Sequence, residues 1–210
     1  MSTLKRLSGR YTAPFMGAMV LATAAATPAS AAKPLKFDMV RSAAAIAGNC
    51  LKNVKAQVID TPLGPVERLE IRATGLPPNT EFDLFVIQVP NAPFGLAWYQ
   101  GDLESDALGV AEGKFVGRFN IETFIVAQSP SAPAPVVHEH QQFPDAAFNP
   151  TTEPVHTFHL GLWFNSPDDA QKAGCPPTVT RFNGEHNAGI QVLSTRDRGD
   201  LKGPLGQLEP

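Results

Sequence analysis

Residues 69–89 constrain the fold of this chain more than any other stretch. Over residues 69–74 apolar and polar side chains alternate, which is the two-residue period of a strand with one face in water. Residues 75–80, Gly-Leu-Pro-Pro-Asn-Thr, then supply the chemistry of a turn. Residues 82–89 are apolar on both faces at their centre, as in a strand that is covered twice. The stretch therefore predicts a strand, a turn and a second, deeply buried strand.

The rest of the chain repeats short apolar runs between clusters of Pro, Gly, Asn and Asp. This punctuation, without a helical period, is typical of an all-β sandwich or barrel. We expect an antiparallel Greek-key β-sandwich of about seven to nine strands. The strands are predicted over residues 54–60, 67–74, 82–89, 96–103, 113–119, 121–127, 156–164, 178–182 and 190–193.

The first residues predict a signal peptide over residues 1–31. Three basic side chains precede an alanine-rich apolar run, and Ala-Ser-Ala at residues 29–31 fits the small-residue cleavage pattern. We expect cleavage between Ala31 and Ala32 and a secreted or periplasmic product. No later segment is long and apolar enough to span a bilayer, so we expect no membrane span after cleavage.

Composition divides the remaining chain into three parts. Residues 32–48 form an N-terminal leader of mixed character, residues 49–194 the β-sandwich domain, and residues 195–210 a loose polar tail. Inside the domain, residues 129–154 carry six prolines and no alternation, so they cannot be a central strand. We expect this proline-rich insertion to pack on the sandwich and to cover the strand predicted over residues 82–89.

The charge of the chain limits its partners. The net charge is −3 at pH 7, and removal of the basic signal peptide makes the product more acidic. An acidic chain without a basic run argues against nucleic acid and against anionic lipid surfaces. We therefore expect a protein or carbohydrate partner at the cell envelope.

Two cysteines, Cys50 and Cys175, predict one disulfide, because an even pair in an exported chain is usually oxidised. Such a bridge would tie the two ends of the fold together. Closing so long a loop stabilises by roughly 2–5 kcal/mol. The alternative is a reactive or metal-binding thiol, although neither cysteine lies in a Cys-x-x-Cys or Cys-His arrangement.

The histidines form the candidate metal site. His138 and His140 share one face of an extended segment, so both could reach one zinc or copper ion together with His186, with or without His159. The alternative is that these loop histidines face water. His156 and His159 point to opposite faces of a regular strand and cannot chelate together. His156 shares its face with apolar residues, which predicts a core histidine.

Two further patterns have a functional and a structural interpretation. Asp102, Glu104 and Asp106 alternate as calcium ligands can, but no bidentate Glu follows at the EF-hand spacing, which favours a hairpin turn. The aromatic pairs at residues 98–99 and 163–164 could stack on a sugar ring or fill the core.

The segment Leu-Pro-Pro-Asn-Thr-Glu-Phe, residues 76–82, resembles the turn-and-strand corner of fibronectin type III and other immunoglobulin-like domains. Phe82 replaces the tyrosine whose hydroxyl ties that corner to the backbone. The chain also resembles uncharacterised secreted bacterial proteins with Pro-Asn-Thr-x-Phe-Asp-Leu-Phe-Val early and residues 186–193 late. The first resemblance implies an immunoglobulin-like sandwich, and neither implies an activity.

The expected function is that of an exported, non-enzymatic binding or structural module. The sequence has no Gly-x-Ser-x-Gly, Ser-x-x-Lys or His-Glu-x-x-His motif. We expect no resident cofactor. The alternative is a histidine-dependent zinc or copper protein.

Overall fold

A computed structural model describes residues 33–92, 94–95, 97–122, 155–182 and 186–208. The chain forms two units, Met1–Ser30 and Ala31–Pro210. The first unit and the proline-rich insertion lie outside the described residues. The described strands are β1 (Leu35–Arg41), β2 (Lys55–Pro62), β3 (Glu67–Thr74), β4 (Glu81–Ile87), β5 (Ala97–Glu104), β6 (Val110–Gly117), β7 (Ile121–Glu122), β8 (Val155–His156), β9 (His159–Phe164), β10 (Thr180–Phe182), β11 (His186–Ala188) and β12 (Gln191–Ser194). The described helices are α1 (Ala43–Ala47), α2 (Pro167–Lys172) and a 3-10 helix over Pro204–Gln207.

Eight strands form one antiparallel sheet that is nearly barrel-shaped, in the order β5-β4-β9-β12-β1-β2-β3-β6. Its two edge strands, β5 and β6, pack against each other and share one bridge between Ser105 and Ala111. Two small sheets, β7–β8 and β10–β11, complete the described structure. The predicted all-β, antiparallel fold class is therefore confirmed.

In the half of the sheet made by β1, β2, β3 and β6, more and less buried side chains alternate, as predicted for residues 69–74. On β3, Leu69, Ile71 and Ala73 are buried, while the side chains between them face water. Arg72 forms an ion pair with Glu112 at 2.8 Å across the outer face. Exposed pairs of this kind add little stability, so the apolar inner face holds this half together.

Strand β4 is covered on both sides, as predicted. Phe82, Leu84 and Val86 are fully buried in the main core. Phe85 and Ile87 point the other way and are buried with a second cluster, whose other members are Ala97, Trp163, Ala188 and, partly buried, Phe94. In the described structure, this cover comes from β5, β9, β11 and the β4–β5 loop.

Residues 33–48, predicted as an N-terminal leader ahead of the sandwich domain, are part of the folded domain. Residues Leu35–Arg41 form strand β1 in the interior of the sheet, with Phe37 and Met39 in the core. Ser42 then caps helix α1 by accepting a hydrogen bond from the amide of Ala45. The alternation of Leu35, Phe37 and Met39 is too short to predict a central strand. Strand β1 is central because it pairs with both β2 and β12.

The C-terminal tail is also not loose. Leu205 is fully buried and Leu208 nearly so, and both belong to the main core. The amide of Leu205 donates to the carbonyl of Phe158 at 3.1 Å. The polar composition of residues 195–210 suggested a free end, but its few apolar side chains close one end of the sheet.

The predicted strand over residues 156–164 is interrupted at Thr157. The Thr157 amide donates to the Asn120 carbonyl, and its hydroxyl donates to the Phe119 carbonyl at 2.8 Å. Residues 155–156 therefore pair with β7, and the long strand β9 begins only at His159.

Cys50 and Cys175 form the predicted disulfide, with their Cα atoms 5.3 Å apart. Each cysteine lies three residues after a short helix, and its amide donates to a carbonyl of that helix, Cys50 to Ala45 and Cys175 to Ala170. Because β1 precedes Cys50, the bridge ties the two helices together rather than the two ends of the fold. Helix α2 begins at Pro167 behind the cap Ser166.

The described helices are all short. None of them is long and apolar enough to cross a membrane.

Replacement of Leu84 tests the doubly covered strand. Leu84→Ala removes a fully buried side chain, so we expect the free energy of unfolding to fall by about 2–5 kcal/mol. Leu108→Ala is the matched control, because Leu108 is 85% exposed. Urea denaturation of both variants makes the comparison, and equal midpoints would contradict the assignment of Leu84 to the core.

Replacement of both cysteines and thiol titration test the disulfide. We expect the Cys50→Ala, Cys175→Ala double variant to lose about 2–5 kcal/mol of unfolding free energy, because the bridge closes a loop of 125 residues. Thiol titration of the denatured, unreduced wild type should find no free thiol. Two titratable thiols per chain would show that the bridge does not form.

Candidate functional site

The structure does not test the predicted histidine site. His138 and His140 lie outside the described residues, and of His186 the structure describes the backbone, which pairs with Phe182 in the β10–β11 hairpin. Among the residues that are described, no three His, Cys, Asp or Glu side chains come together to hold a metal ion.

His159 makes hydrogen bonds within the protein through both of its ring nitrogens. It is fully buried, with Nδ1 2.8 Å from the Thr195 hydroxyl and Nε2 3.0 Å from the Asp200 carbonyl. A carbonyl only accepts, so Nε2 carries the hydrogen and Nδ1 accepts from Thr195. Burial lowers the pKa of His159, which favours this neutral form. With both ring nitrogens bonded, His159 anchors the segment after β12 and is not available to a metal.

The prediction that His156 is the core histidine is wrong, because His156 is exposed. The break at Thr157 separates it from the buried face of β9. His159 takes the core position instead.

The acidic run at the end of β5 forms a turn. One carboxylate oxygen of Asp106 accepts the amides of Leu108 and Val110, at 2.8 and 2.9 Å. Gly109 has a φ of 73°, which the turn requires and which glycine adopts freely. Asp102 bonds elsewhere, to a tyrosine hydroxyl. This geometry agrees with the hairpin interpretation of the pattern.

Four aromatic residues form a stacked column on the outer side of β4, β5 and β9, which we call the aromatic column: Phe94, Trp163, Phe85 and Tyr99. Successive rings meet edge to face, with centroids 5.0, 5.4 and 5.5 Å apart. Trp163 and Phe85 are buried, whereas Tyr99 is 41% exposed at the end of the column. Of the two predicted aromatic pairs, Trp163-Phe164 is therefore core, and Tyr99 alone reaches the surface as a platform.

Two carboxylates lie near the exposed end of the aromatic column, those of the exposed Asp102 and the buried Asp83. The Tyr99 hydroxyl donates to Asp102 at 2.5 Å, and Asp83 lies close enough to act on it electrostatically. Partial burial, the hydrogen bond to Asp102 and the two negative charges all raise the pKa of Tyr99. The phenol is thus a permanent donor whose ring is held in one position. An apolar ring face beside an exposed carboxylate suits a ligand with an apolar face and hydroxyl groups.

Two acidic residues that were not among the predicted site residues lie together inside the sheet. Asp60 is fully buried and Glu67 is 5% exposed, and both point inward from β2 and β3. Asp60 pairs with Leu69 and Glu67 with Pro62, so the two acids are diagonal neighbours on one face. The sequence could have indicated this, because each acid occupies a position that the alternation of its strand predicts to point inward.

The two acids differ in their hydrogen bonds. Glu67 Oε2 accepts the amide of Phe119 at 3.1 Å, whereas no described residue donates to either Asp60 oxygen. Burial, with a smaller contribution from the charge of Glu67, raises the pKa of Asp60 to about 7. Burial also raises the pKa of Glu67, against the opposing effects of the Phe119 amide and of Arg118.

We group Asn120 with these two acids as the acid cluster (Asp60, Glu67 and Asn120), because Asn120 follows Phe119, whose amide binds Glu67. Asn120 is 1% exposed, and its Nδ2 donates to the Leu208 carbonyl at 2.9 Å. Its Oδ1 has no hydrogen-bond partner in the described structure. The acid cluster thus lies under the C-terminal segment, at the end of the sheet that this segment closes.

Neither comparison with known proteins identifies the chain. No protein-family model matches the sequence, and no curated protein is significantly similar to it.

The raised pKa of Asp60 predicts a dependence of stability on pH. In the folded protein Asp60 keeps its proton up to about pH 7, and in the unfolded chain it releases the proton near its ordinary pKa of 3.8. The folded state therefore binds more protons between these values, and Asp60 lowers stability as pH rises from about 4 to 7. The slope is at most about 1.4 kcal/mol per pH unit.

We expect Asp60→Asn to remove this contribution, because an amide does not titrate. Urea unfolding at pH 4, 5, 6 and 7 measures the difference from wild type, which should grow with pH. Asp38→Asn is the matched control, since Asp38 is exposed on the neighbouring strand β1. A constant difference across this range would contradict the assignment.

Proposed function

We propose that this protein is an exported, non-enzymatic binding module that binds a carbohydrate of the cell envelope on the surface around Tyr99 and Asp102. The observation that carries the proposal is the exposed end of the aromatic column. Tyr99 is 41% exposed, and it is fixed by Phe85 beneath and Asp102 beside it.

The chemistry of this surface fits a sugar ring. The C–H face of a pyranose is apolar and packs on an aromatic ring, while its hydroxyls donate to carboxylates at the ring edge. Binding sites of this kind combine aromatic surface with a few placed polar groups. Because Tyr99 is already held by two contacts, little side-chain freedom is lost on binding.

The position of the strongly perturbed acids supports a non-enzymatic role. Catalytic acids and bases must touch their substrate. Asp60 and Glu67 lie inside the sheet and are at most 5% exposed. The histidine-metal alternative gains no support from the described residues, since His159 uses both ring nitrogens within the protein.

Export is part of the proposal. The basic and alanine-rich start of the sequence is its main support, and the disulfide between Cys50 and Cys175 is compatible with an oxidising compartment.

We also propose a Greek-key sandwich as the finer description of the fold. Strands β4, β5 and β6 follow one another around the sheet, and β3 crosses the end to lie beside β6. Strand β1 changes partners along its length, which divides the sheet into two halves. The fibronectin-like corner is tied by Ser105, whose hydroxyl donates to the Pro77 carbonyl at 2.5 Å. This bond replaces the tyrosine hydroxyl that Phe82 lacks.

Replacement of Tyr99 tests the carbohydrate surface. We expect Tyr99→Ala to weaken binding to soluble envelope polysaccharides or peptidoglycan fragments at least about tenfold, as loss of a fixed aromatic anchor does. Tyr99→Phe keeps the ring but loses the bond to Asp102, so we expect a smaller loss. Isothermal titration calorimetry with the purified mature chain measures both.

Val116→Ala provides the control for this experiment, because Val116 is 61% exposed on a different strand, β6. Its affinity should equal that of wild type. Absence of binding to any of these glycans, or equal affinities for wild type and Tyr99→Ala, would contradict the proposed function.

A further inference from the structure

We propose that the acid cluster is a binding site for a hard cation that prefers oxygen ligands, and that calcium is the ion its ligands fit best. This inference concerns the inside of the sheet and is independent of the proposed carbohydrate surface. It rests on the placement of Asp60, Glu67 and Asn120 and on the buried oxygens that they leave without partners.

The register of the sheet brings the two acids together. Diagonal neighbours on one face of an antiparallel pair have Cα atoms roughly 7–8 Å apart, within reach of two carboxylates. Glu67 is held in place by the Phe119 amide at 3.1 Å, and Asn120 follows Phe119 directly in the chain. The Asn120 amide is oriented by its bond to Leu208, which leaves Oδ1 as its remaining polar atom.

The unpartnered oxygens distinguish a cation from a shared proton. Both oxygens of Asp60 and Oδ1 of Asn120 are buried without a hydrogen bond in the described structure. One proton shared between Asp60 and Glu67 would satisfy a single oxygen of each acid. It would leave the second Asp60 oxygen and Asn120 Oδ1 unpaired, which is costly in an apolar interior. A cation contacts all of these oxygens at once.

The charges of the site agree with a cation. Two carboxylates in the core carry a large desolvation cost unless a positive charge compensates them. Neither oxygen of Asp60 receives a hydrogen bond from a basic side chain among the described residues. A divalent ion would neutralise both acids.

The ligand types indicate calcium rather than zinc or copper. Carboxylate and carboxamide oxygens are hard ligands, and calcium accepts them in flexible geometry with water or backbone carbonyls in the remaining positions. Extracellular calcium modules bind at roughly 10⁻⁴–10⁻³ M, which suits an exported protein. The ion would join β2, β3 and residues 119–120, and through Asn120 it would support the C-terminal segment.

Calcium binding to the purified mature chain tests this inference. The thermal midpoint and the calorimetric heat of binding are measured after chelator treatment, with calcium chloride, with magnesium chloride and with sodium chloride at matched ionic strength. We expect calcium to raise the midpoint by several degrees, with a smaller effect of magnesium and none of sodium.

Four variants assign the effect to the acid cluster. Asp60→Asn and Glu67→Gln keep the shape of each side chain and should abolish the calcium-dependent shift. Asp38→Asn and Glu104→Gln make the same substitutions at exposed positions of β1 and β5 and should respond to calcium as wild type does. We expect Asp60→Asn to fold, because it removes a buried charge and keeps the shape of the side chain; its unfolding transition measured in chelator checks this, so a lost calcium response then reports lost binding.

Two outcomes would overturn the inference. The first is a wild-type protein whose midpoint and heat are unaffected by about 10 mM calcium, well above the range of extracellular modules. The second is a calcium response that persists in Asp60→Asn, which would place the ion elsewhere. Glycan binding by Tyr99 is measured separately in chelator, so either proposal can fail without the other.

Discussion

The fold depends on the change of partners along strand β1. Residues 35–39 pair with β2, and Val40 and Arg41 pair with β12, so one strand joins both halves of the sheet. The corner after β1 is fixed by Ser42, whose amide donates to Val192, and by Arg196, which donates to the Arg41 carbonyl at 2.7 Å. These bonds allow one continuous sheet to curve around the main core.

A sheet that curves in this way has two ends to close, and the chain closes them differently. One end carries the short helices α1 and α2, joined by the disulfide between Cys50 and Cys175. The other receives the C-terminal segment and the acid cluster. A buried acid without a hydrogen-bond donor, such as Asp60 among the described residues, stabilises a core less than an apolar residue of similar size would. Residues that break local folding rules, such as buried acids, are concentrated at functional sites. The end of the sheet that holds the acid cluster is therefore a candidate functional site.

The double coverage of β4 differs, because the residues that pack on its two faces are mainly apolar. Its inner residues join the main core, and its outer residues, Phe85 and Ile87, begin the second cluster with Trp163. Tyr99 lies where this second cluster meets water. An aromatic side chain at that boundary is held in position by the buried rings beneath it, and its outer part remains exposed.

The sequence by itself determined the features that neighbouring residues encode. The alternation over residues 69–74, the twofold burial of β4 and the Asp106 turn depend on local period and turn chemistry, and the sequence predicted all three. The pairing of two cysteines followed from their number and the expected export. Tertiary structure decided the rest: the position of β1 inside the sheet, the burial of Leu208 and the meeting of Asp60 with Glu67. These features depend on which distant strands pair and which end each segment closes, and no local pattern carries that information.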